Sequence, residues 1–260
     1  MDETKTTHLR DDVNDFLKPE TADYSNLRGI PYKRVYLFHG PPGNGKSSTM
    51  LALAGFFGLP LYILSLNAEG LDDGTLQKAM KQAPTRCILA IEEIDTAGLS
   101  RKKGSQDLPG PTLGAVLRML DGIATSPGRM FILTSNKPGD LDEALVRPGR
   151  TDYILEFANC NSQMSEKLFK DFYDTVRDES SLESMAMRFG EVTPDGKYSV
   201  ADIEALLLKY KDGPEKAIEG MMEQVKRDRI HCDNFPRLLG TPVFKLPNGE
   251  FGPGTRRSSF

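Results

Sequence analysis

The chain has 260 residues, with 33 Lys plus Arg against 37 Asp plus Glu, a net charge of −4 and no basic run longer than Arg101-Lys102-Lys103. A surface devoted to nucleic acid needs a positive field, so this balance argues against a nucleic-acid partner, and no stretch approaches the roughly 20 apolar residues of a membrane-spanning helix. Three dispersed cysteines, Cys87, Cys160 and Cys232, fit neither a disulfide framework nor a paired-cysteine zinc site and point to a reducing compartment.

Residues 1–33, opening "MDETKTTHLRDDVNDFLK", are polar and acidic and lack the basic patch and apolar stretch of a signal peptide, so the chain as given reads as soluble and this segment as a lead-in. From Arg34, short apolar runs alternate with helix-patterned segments. "RVYLFH", "LYILSL", "CILAIE", "MFILTS" and "YILEF" are rich in aromatic and β-branched residues and apolar on both faces, as strands covered on both sides must be. Between them, 47–57 and 71–82 carry helical patterning, and Leu113, Val116, Leu117 and Leu120 place an apolar stripe at i, i+3, i+4 and i+7. The expectation for 34–158 is an α/β fold, a doubly wound and largely parallel five-stranded sheet. "SRKKGSQDLPGP" (100–111) reads as an exposed loop. After Phe157 the periodicity becomes helical throughout, which predicts a small all-helical domain over 159–232, with Ser199 and Asp202 marking one helix start. The Pro- and Gly-studded 233–260 is expected to be loosely ordered or to run as an extended surface strip.

The chemistry concentrates where strands end. Gly40-Pro41-Pro42-Gly43-Asn44-Gly45-Lys46-Ser47, with Ser48 behind it, follows an apolar strand and opens a helix. Glycines let successive main-chain N–H groups converge on phosphate oxygens, Lys46 brings a point charge to the outer phosphates, and the Ser47 hydroxyl suits Mg²⁺. The pattern by itself spans kinases, GTPases and ATPases. "CILAIEEID" delivers Glu92 and Glu93 to the sheet's carboxyl edge, and because strand side chains alternate the two are expected to divide their work. Glu92 is assigned to the magnesium shell and Glu93 to polarising the attacking water. "MFILTSNKP" ends in Asn136, whose amide suits a lytic water or γ-phosphate oxygen, although Ser-Asn after a strand is by itself a common turn. "ALVRPGR" sets Arg147 and Arg150 on a Pro-Gly turn, either as plain surface cations or as arginine fingers reaching a neighbouring subunit's γ-phosphate.

"GPPGNGKS", "LAIEEID", "ILTSNKP" and "LDEALVRPGRTD", in this order, resemble the AAA family of ATPases. The resemblance implies a nucleotide-binding domain followed by a helical lid, ATP/ADP with Mg²⁺ as ligands, a homo-oligomeric ring, a sensor at Asn136 and arginine fingers at Arg147 and Arg150. More narrowly, "RGIPYKRVYLFHGPPGNGKSS" and "LDGIATSPGRMFILTSNKPGDLDEALVRPGRTD" resemble the mitochondrial translocases that move folded Rieske iron–sulfur protein during complex III assembly. That likeness implies a matrix-facing place at the inner membrane for a full-length protein, and a folded protein client. The Glu92-Glu93 pair departs from the Asp-Glu of most AAA proteins and the Glu-Asp of the translocases. "SLNAEGLDDG" lacks the aromatic–apolar–Gly pore signature of peptide-threading relatives, and Ala201 stands where many wider relatives carry a second sensor arginine. A nucleotide-dependent switch or scaffold with little turnover is the alternative reading.

Overall fold

A computed structural model describes residues 3–96, 110–121, 127–174, 179–234, 243–245 and 251–253. The chain divides into two compact units, one of residues 1–160 with 196–202, the other of 161–195 with 203–260. The short return of 196–202 to the first unit is a detail that a single boundary near residue 159 does not contain.

In the first unit, β1 (Lys33–His39), β2 (Leu61–Leu64), β3 (Ile88–Ile91), β4 (Arg129–Ser135) and β5 (Tyr153–Glu156) form one sheet in the order β2-β3-β4-β1-β5. Every pair is parallel. The five expected strands are therefore all present, and the fold is α/β and doubly wound. The chain leaves β1 for the far edge through α3 (Lys46–Phe57), and leaves β4 for the opposite edge, so the order reverses between β1 and β4. In open α/β sheets the crevice outside the carboxyl ends at such a reversal is where ligands collect.

Alternation along β1 sorts the core into two layers. Val35 and Leu37 face one cluster with α4 (Asp73–Gln82), α5 (Leu113–Leu120) and α6 (Glu143–Val146), through Leu76, Val116, Leu120 and Leu145. Tyr36 and Phe38 face the other with α3, through Met50 and Leu53. Capping follows the side chains available. Asp72 accepts from the Thr75 N–H at 2.7 Å and Thr112 from the Ala115 N–H at 3.2 Å.

The N-terminal lead-in is mostly helical. α1 (Glu3–Leu17) lays Leu9, Val13 and Phe16 against Tyr36 and Phe38, and burial at that level stabilises by on the order of 2 kcal/mol per apolar side chain. α2 (Pro19–Arg28) opens on a proline and stops at Gly29, where φ is 64°. Asp12 fixes α1 in place: its carboxylate accepts from Nε and Nη2 of Arg34 and from the Tyr36 hydroxyl, the last at 2.8 Å. Burial, and then the nearby Asp12 charge, push the Tyr36 phenol well above its ordinary range. The Tyr32 hydroxyl donates to the Phe16 carbonyl at 2.7 Å, with their rings 4.7 Å apart.

The second unit contains α7 (Ser162–Phe172), α8 (Glu179–Val192), most of α9 (Val200–Lys209) and α10 (Pro214–Asn234), as the helical periodicity predicts. Phe169 centres it, 4.9 Å from the Phe189 ring and 4.8 Å from Tyr173. Gly190 lets α8 approach the Ser162 carbonyl, which a Cβ would meet at 2.9 Å. The Tyr173 hydroxyl donates to the Tyr210 carbonyl at 2.8 Å. Instead of a wholly loose tail, β6 (Val243–Lys245) and β7 (Phe251–Pro253) pair as an antiparallel ribbon. Most of the expected loop at 100–111 lies outside the described residues.

Truncating Asp12 leaves a buried phenol and a guanidinium without their acceptor. Asp12→Ala is expected to destabilise the chain by about 2 kcal/mol, seen as a lower urea midpoint, with faster amide exchange confined to α1 and the start of β1.

Candidate functional site

The loop after β1 is shaped by what surrounds its first residue. Gly40 has φ 137°. Its N–H donates to the Ser135 carbonyl at 3.1 Å, and the Phe157 N–H donates to the His39 carbonyl at 2.7 Å. A Cβ on Gly40 would overlap the Phe157 carbonyl oxygen, so the position admits only glycine. The chain then turns through exposed Pro41 and Pro42 and enters α3 from Gly45, whose φ of 84° again requires the left-handed region. Among the described residues no hydrogen bond is donated by the main-chain N–H groups from Gly43 to Ser48, and the first turn of α3 is closed by the Thr49 N–H on the Gly45 carbonyl at 2.8 Å. Six consecutive donors at a helix N-terminus form an anion cradle.

Lys46 is 8% exposed, and its amine folds back to donate to the Gly40 carbonyl at 2.6 Å and the Pro41 carbonyl at 2.9 Å. Burial draws its pKa below the ordinary lysine range, while Asp95 and Glu93 pull the other way. Ser47 and Ser48 lie exposed on the first turn of α3. The Ser47 hydroxyl donates to Glu92 Oε1 at 2.6 Å. A hydroxyl and a carboxylate oxygen brought together beside an anion cradle are the hard oxygen donors that Mg²⁺ takes, so these residues fit that ion.

The two acids are separated by a different device from the one alternation suggests. β3 ends at Ile91, and both glutamates follow it. Glu93 has φ 49°, and among the described residues it is the one non-glycine in the left-handed region. Such a backbone costs on the order of 1 kcal/mol or more and persists only when its surroundings hold it. Here Thr134 does so: its hydroxyl accepts from the Glu93 N–H at 2.9 Å and its carbonyl from the Ile94 N–H at 2.9 Å. The Thr96 N–H and hydroxyl both donate to the Glu93 carbonyl at 2.8 Å. Glu92 therefore reaches α3, while Glu93 Oε1 accepts from Asn136 Nδ2 at 3.2 Å. Asp95 takes the main-chain N–H groups of Asn136 and Lys137 at 3.3 and 3.1 Å, fixing the end of β4.

Thr134 and Asp95 thus belong to the site although their residue types gave no direct sign. The available signal was the Thr134-Ser135 hydroxyl pair that closes β4 just before Asn136.

The two arginines differ. Arg147 is exposed at the end of α6, and its guanidinium makes no hydrogen bond or ion pair among the described residues. Arg150 is engaged within its own chain. Its Nε and Nη2 reach the Asp121 carboxylate at 2.6 and 3.1 Å, and Nη1 donates to the Ala144 carbonyl at 3.0 Å. Those hydrogen bonds hold the Asp121 carboxyl below the ordinary range despite partial desolvation. Lys33 adds a bond to the Gly149 carbonyl at 2.8 Å. The turn carrying Arg147 is pinned from both sides, with Arg150 as one of the pins.

Residues 36–159 match the family described as "ATPase family associated with various cellular activities (AAA)", and 162–223 match "Mitochondrial chaperone BCS1-like, ATPase lid domain". The chain is 38% identical over 218 residues to the probable mitochondrial chaperone BCS1-A of Dictyostelium discoideum, covering 81% of this chain and 50% of that protein. To the human mitochondrial chaperone BCS1 it is 34% identical over 215 residues, covering 80% and 50% respectively. To the probable mitochondrial chaperone bcs1 of Schizosaccharomyces pombe it is 32% identical over 213 residues, covering 81% and 46%. The chain spans about half the length of these curated relatives.

Removing the Thr134 hydroxyl takes away the acceptor that holds Glu93 in its left-handed conformation. Thr134→Val is expected to lower ATP turnover at least tenfold with ADP affinity unchanged within about twofold, measured by phosphate release and by nucleotide titration.

Proposed function

This chain belongs to the AAA ATPases, pairing an AAA domain with a BCS1-like lid domain, and on that premise we propose that it is the Mg²⁺-dependent ATP-hydrolysing module of a ring-forming chaperone that moves folded protein clients. The single observation that carries the catalytic part is the meeting of three elements at one sheet edge. Ser47 of α3 contacts Glu92, Glu93 contacts Asn136, and the cradle of free N–H groups lies beside them.

In this reading the N–H groups from Gly43 to Ser48 bind the phosphates, and the Lys46 amine turns from the Gly40 and Pro41 carbonyls to the outer phosphate oxygens. Ser47 and Glu92 would hold Mg²⁺, which would supply charge neutralisation at the phosphates when bound. Glu93 accepts a proton from the attacking water, and Asn136 orients both that water and the Glu93 carboxylate without adding charge. Arg147, exposed on a braced turn, acts in trans on a neighbouring copy's γ-phosphate. Arg150 serves the same turn, and its bond to Asp121 sets where Arg147 stands.

Similarity to mitochondrial chaperones supports a mitochondrial setting, and a matrix-facing role at the inner membrane with the Rieske protein as client extends the same reading. Among the described residues no helix is long and apolar enough to cross a membrane. The absence of an aromatic pore signature in "SLNAEGLDDG" favours folded clients over threaded ones.

Two results test this function. ATP turnover per subunit is expected to fall on dilution and to drop by about 10³ or more in Arg147→Ala, as for a finger acting in trans. Constant specific activity on dilution together with an active Arg147→Ala variant would overturn the shared site. Glu93→Gln is expected to retain ATP and stall its conversion to ADP in a single-turnover assay, whereas an unsubstituted chain that itself never converts bound ATP would make the protein a nucleotide switch.

A further inference from the structure

The side chain of Asn44 has no task in gripping phosphate, because the loop does that with its main chain. It nevertheless lies only 6% exposed in the middle of the loop. Its Nδ2 donates to Asn159 Oδ1 at 2.8 Å, and its Oδ1 accepts from the Val200 N–H at 3.1 Å. Asn159 Nδ2 continues to the Gly196 carbonyl at 3.1 Å and the Lys197 carbonyl at 3.4 Å. Both amides are thereby satisfied by specific partners, and neither can move without breaking bonds to the other or to the 196–202 segment.

The main chain runs the same way. The Ala201 N–H donates to the Gly43 carbonyl at 3.0 Å, and a Cβ on Gly43 would stand 2.9 Å from Ser199 Oγ. Ser199 and Asp202 bond each other reciprocally, with the Ser199 N–H at 2.9 Å from Asp202 Oδ2 and the Asp202 N–H at 3.2 Å from Ser199 Oγ. That leaves the N–H groups of Val200 and Ala201, at the start of α9, to the phosphate loop. Cys160 and Gly196 close the arrangement: the Cys160 N–H donates to the Tyr198 carbonyl at 2.8 Å and the Gly196 N–H to the Cys160 carbonyl at 2.9 Å. Along the chain, Asn159 comes just before residue 161, where the second unit begins, and 196–202 just before residue 203, where it resumes.

We propose that Asn44 and Asn159 are positioning residues that couple phosphate binding in the 40–47 loop to the conformation of 196–202, the two segments sharing one hydrogen-bonded arrangement. The proposal rests on the nucleotide-binding reading above. Binding that orders the loop then orders the start of α9, and the loosening of either segment weakens the other by the same factor. Nucleotide state is thereby transmitted to both stretches of chain that lead into the helical unit.

The test uses the full chain, a fluorescent N-methylanthraniloyl-ADP titration with Mg²⁺, and amide exchange of peptides covering 196–202 with and without ADP. In the unsubstituted chain ADP is expected to slow exchange at Val200 and Ala201. Asn159→Ala should weaken ADP about fivefold, in the range for loss of one such hydrogen bond, and remove more than half of that slowing. Asn44→Ala should do the same, and the double variant should be no weaker than the weaker single, since both break one linkage. Asn44→Ser, too short to reach Asn159, replaces the alanine variant if that one does not fold. Single losses that multiply in the double variant, or an exchange response to ADP that survives Asn159→Ala while only the melting temperature falls, would overturn the coupling. An unsubstituted chain that binds no ADP overturns the nucleotide reading and the coupling with it. ADP binding without any response at 196–202 overturns the coupling alone.

Discussion

The tightest constraint in the molecule is the seat of Gly40. Its N–H is tied to the end of β4, and the Phe157 carbonyl, one residue beyond β5, occupies the space a Cβ would need. The neighbouring His39 carbonyl takes the Phe157 N–H. The loop therefore leaves the sheet between the two strands that flank β1, at the reversal of strand order. That placement starts the loop at the same sheet edge as Glu92, Glu93 and Asn136, which follow β3 and β4, and the Ser47 hydroxyl at the start of α3 reaches Glu92 there. Were the first glycine displaced, cradle and carboxylates would no longer face the same space.

A second layer of control lies in polar contacts around the two glutamates. Glu93 adopts a strained backbone that Thr134 and Thr96 over-determine with four hydrogen bonds. Hydrogen bonds of ordinary net strength, about 1 kcal/mol each, are together enough to offset a left-handed residue. What the strain achieves is direction, since two adjacent glutamates are sent to different partners. The longer Glu92 side chain, unusual in the wider family, reaches the Ser47 hydroxyl directly at 2.6 Å. Arg150 illustrates the same economy in the turn after α6. The guanidinium of Arg150, one of the two finger candidates in the sequence, is bonded within its own chain to Asp121 and the Ala144 carbonyl, which ties the 147–150 turn to α5 and α6.

The N-terminal helices show how little a polar composition says about burial. α1 has a polar composition, and its three buried residues, Leu9, Val13 and Phe16, are too sparse to announce a core element. They are buried because β1 exposes Tyr36 and Phe38 on a face that α3 alone does not cover, and because Asp12 finds Arg34 and the Tyr36 hydroxyl there. A helix recruited by a complementary surface carries little signal of its own. The tail ribbon of β6 and β7 is similar, since three-residue strands pair without any period long enough to read.

The five strands, the glycine-rich turn between β1 and α3, the glutamate pair and Asn136 at the strand ends, and the helical second unit were all legible in the sequence, because each depends on local periodicity or on residue types at fixed spacing within one segment. Which partners those residues take was decided only in three dimensions. Thr134 under Glu93, Asp121 on Arg150 and Asn159 between Asn44 and Gly196 are contacts across 41, 29 and 115 residues of chain, with the last continuing over a further 37. Separations of that size leave no imprint on neighbouring residues: a threonine, an aspartate or an asparagine reads the same in a turn as in a site, until the sheet order brings its partner within hydrogen-bonding distance.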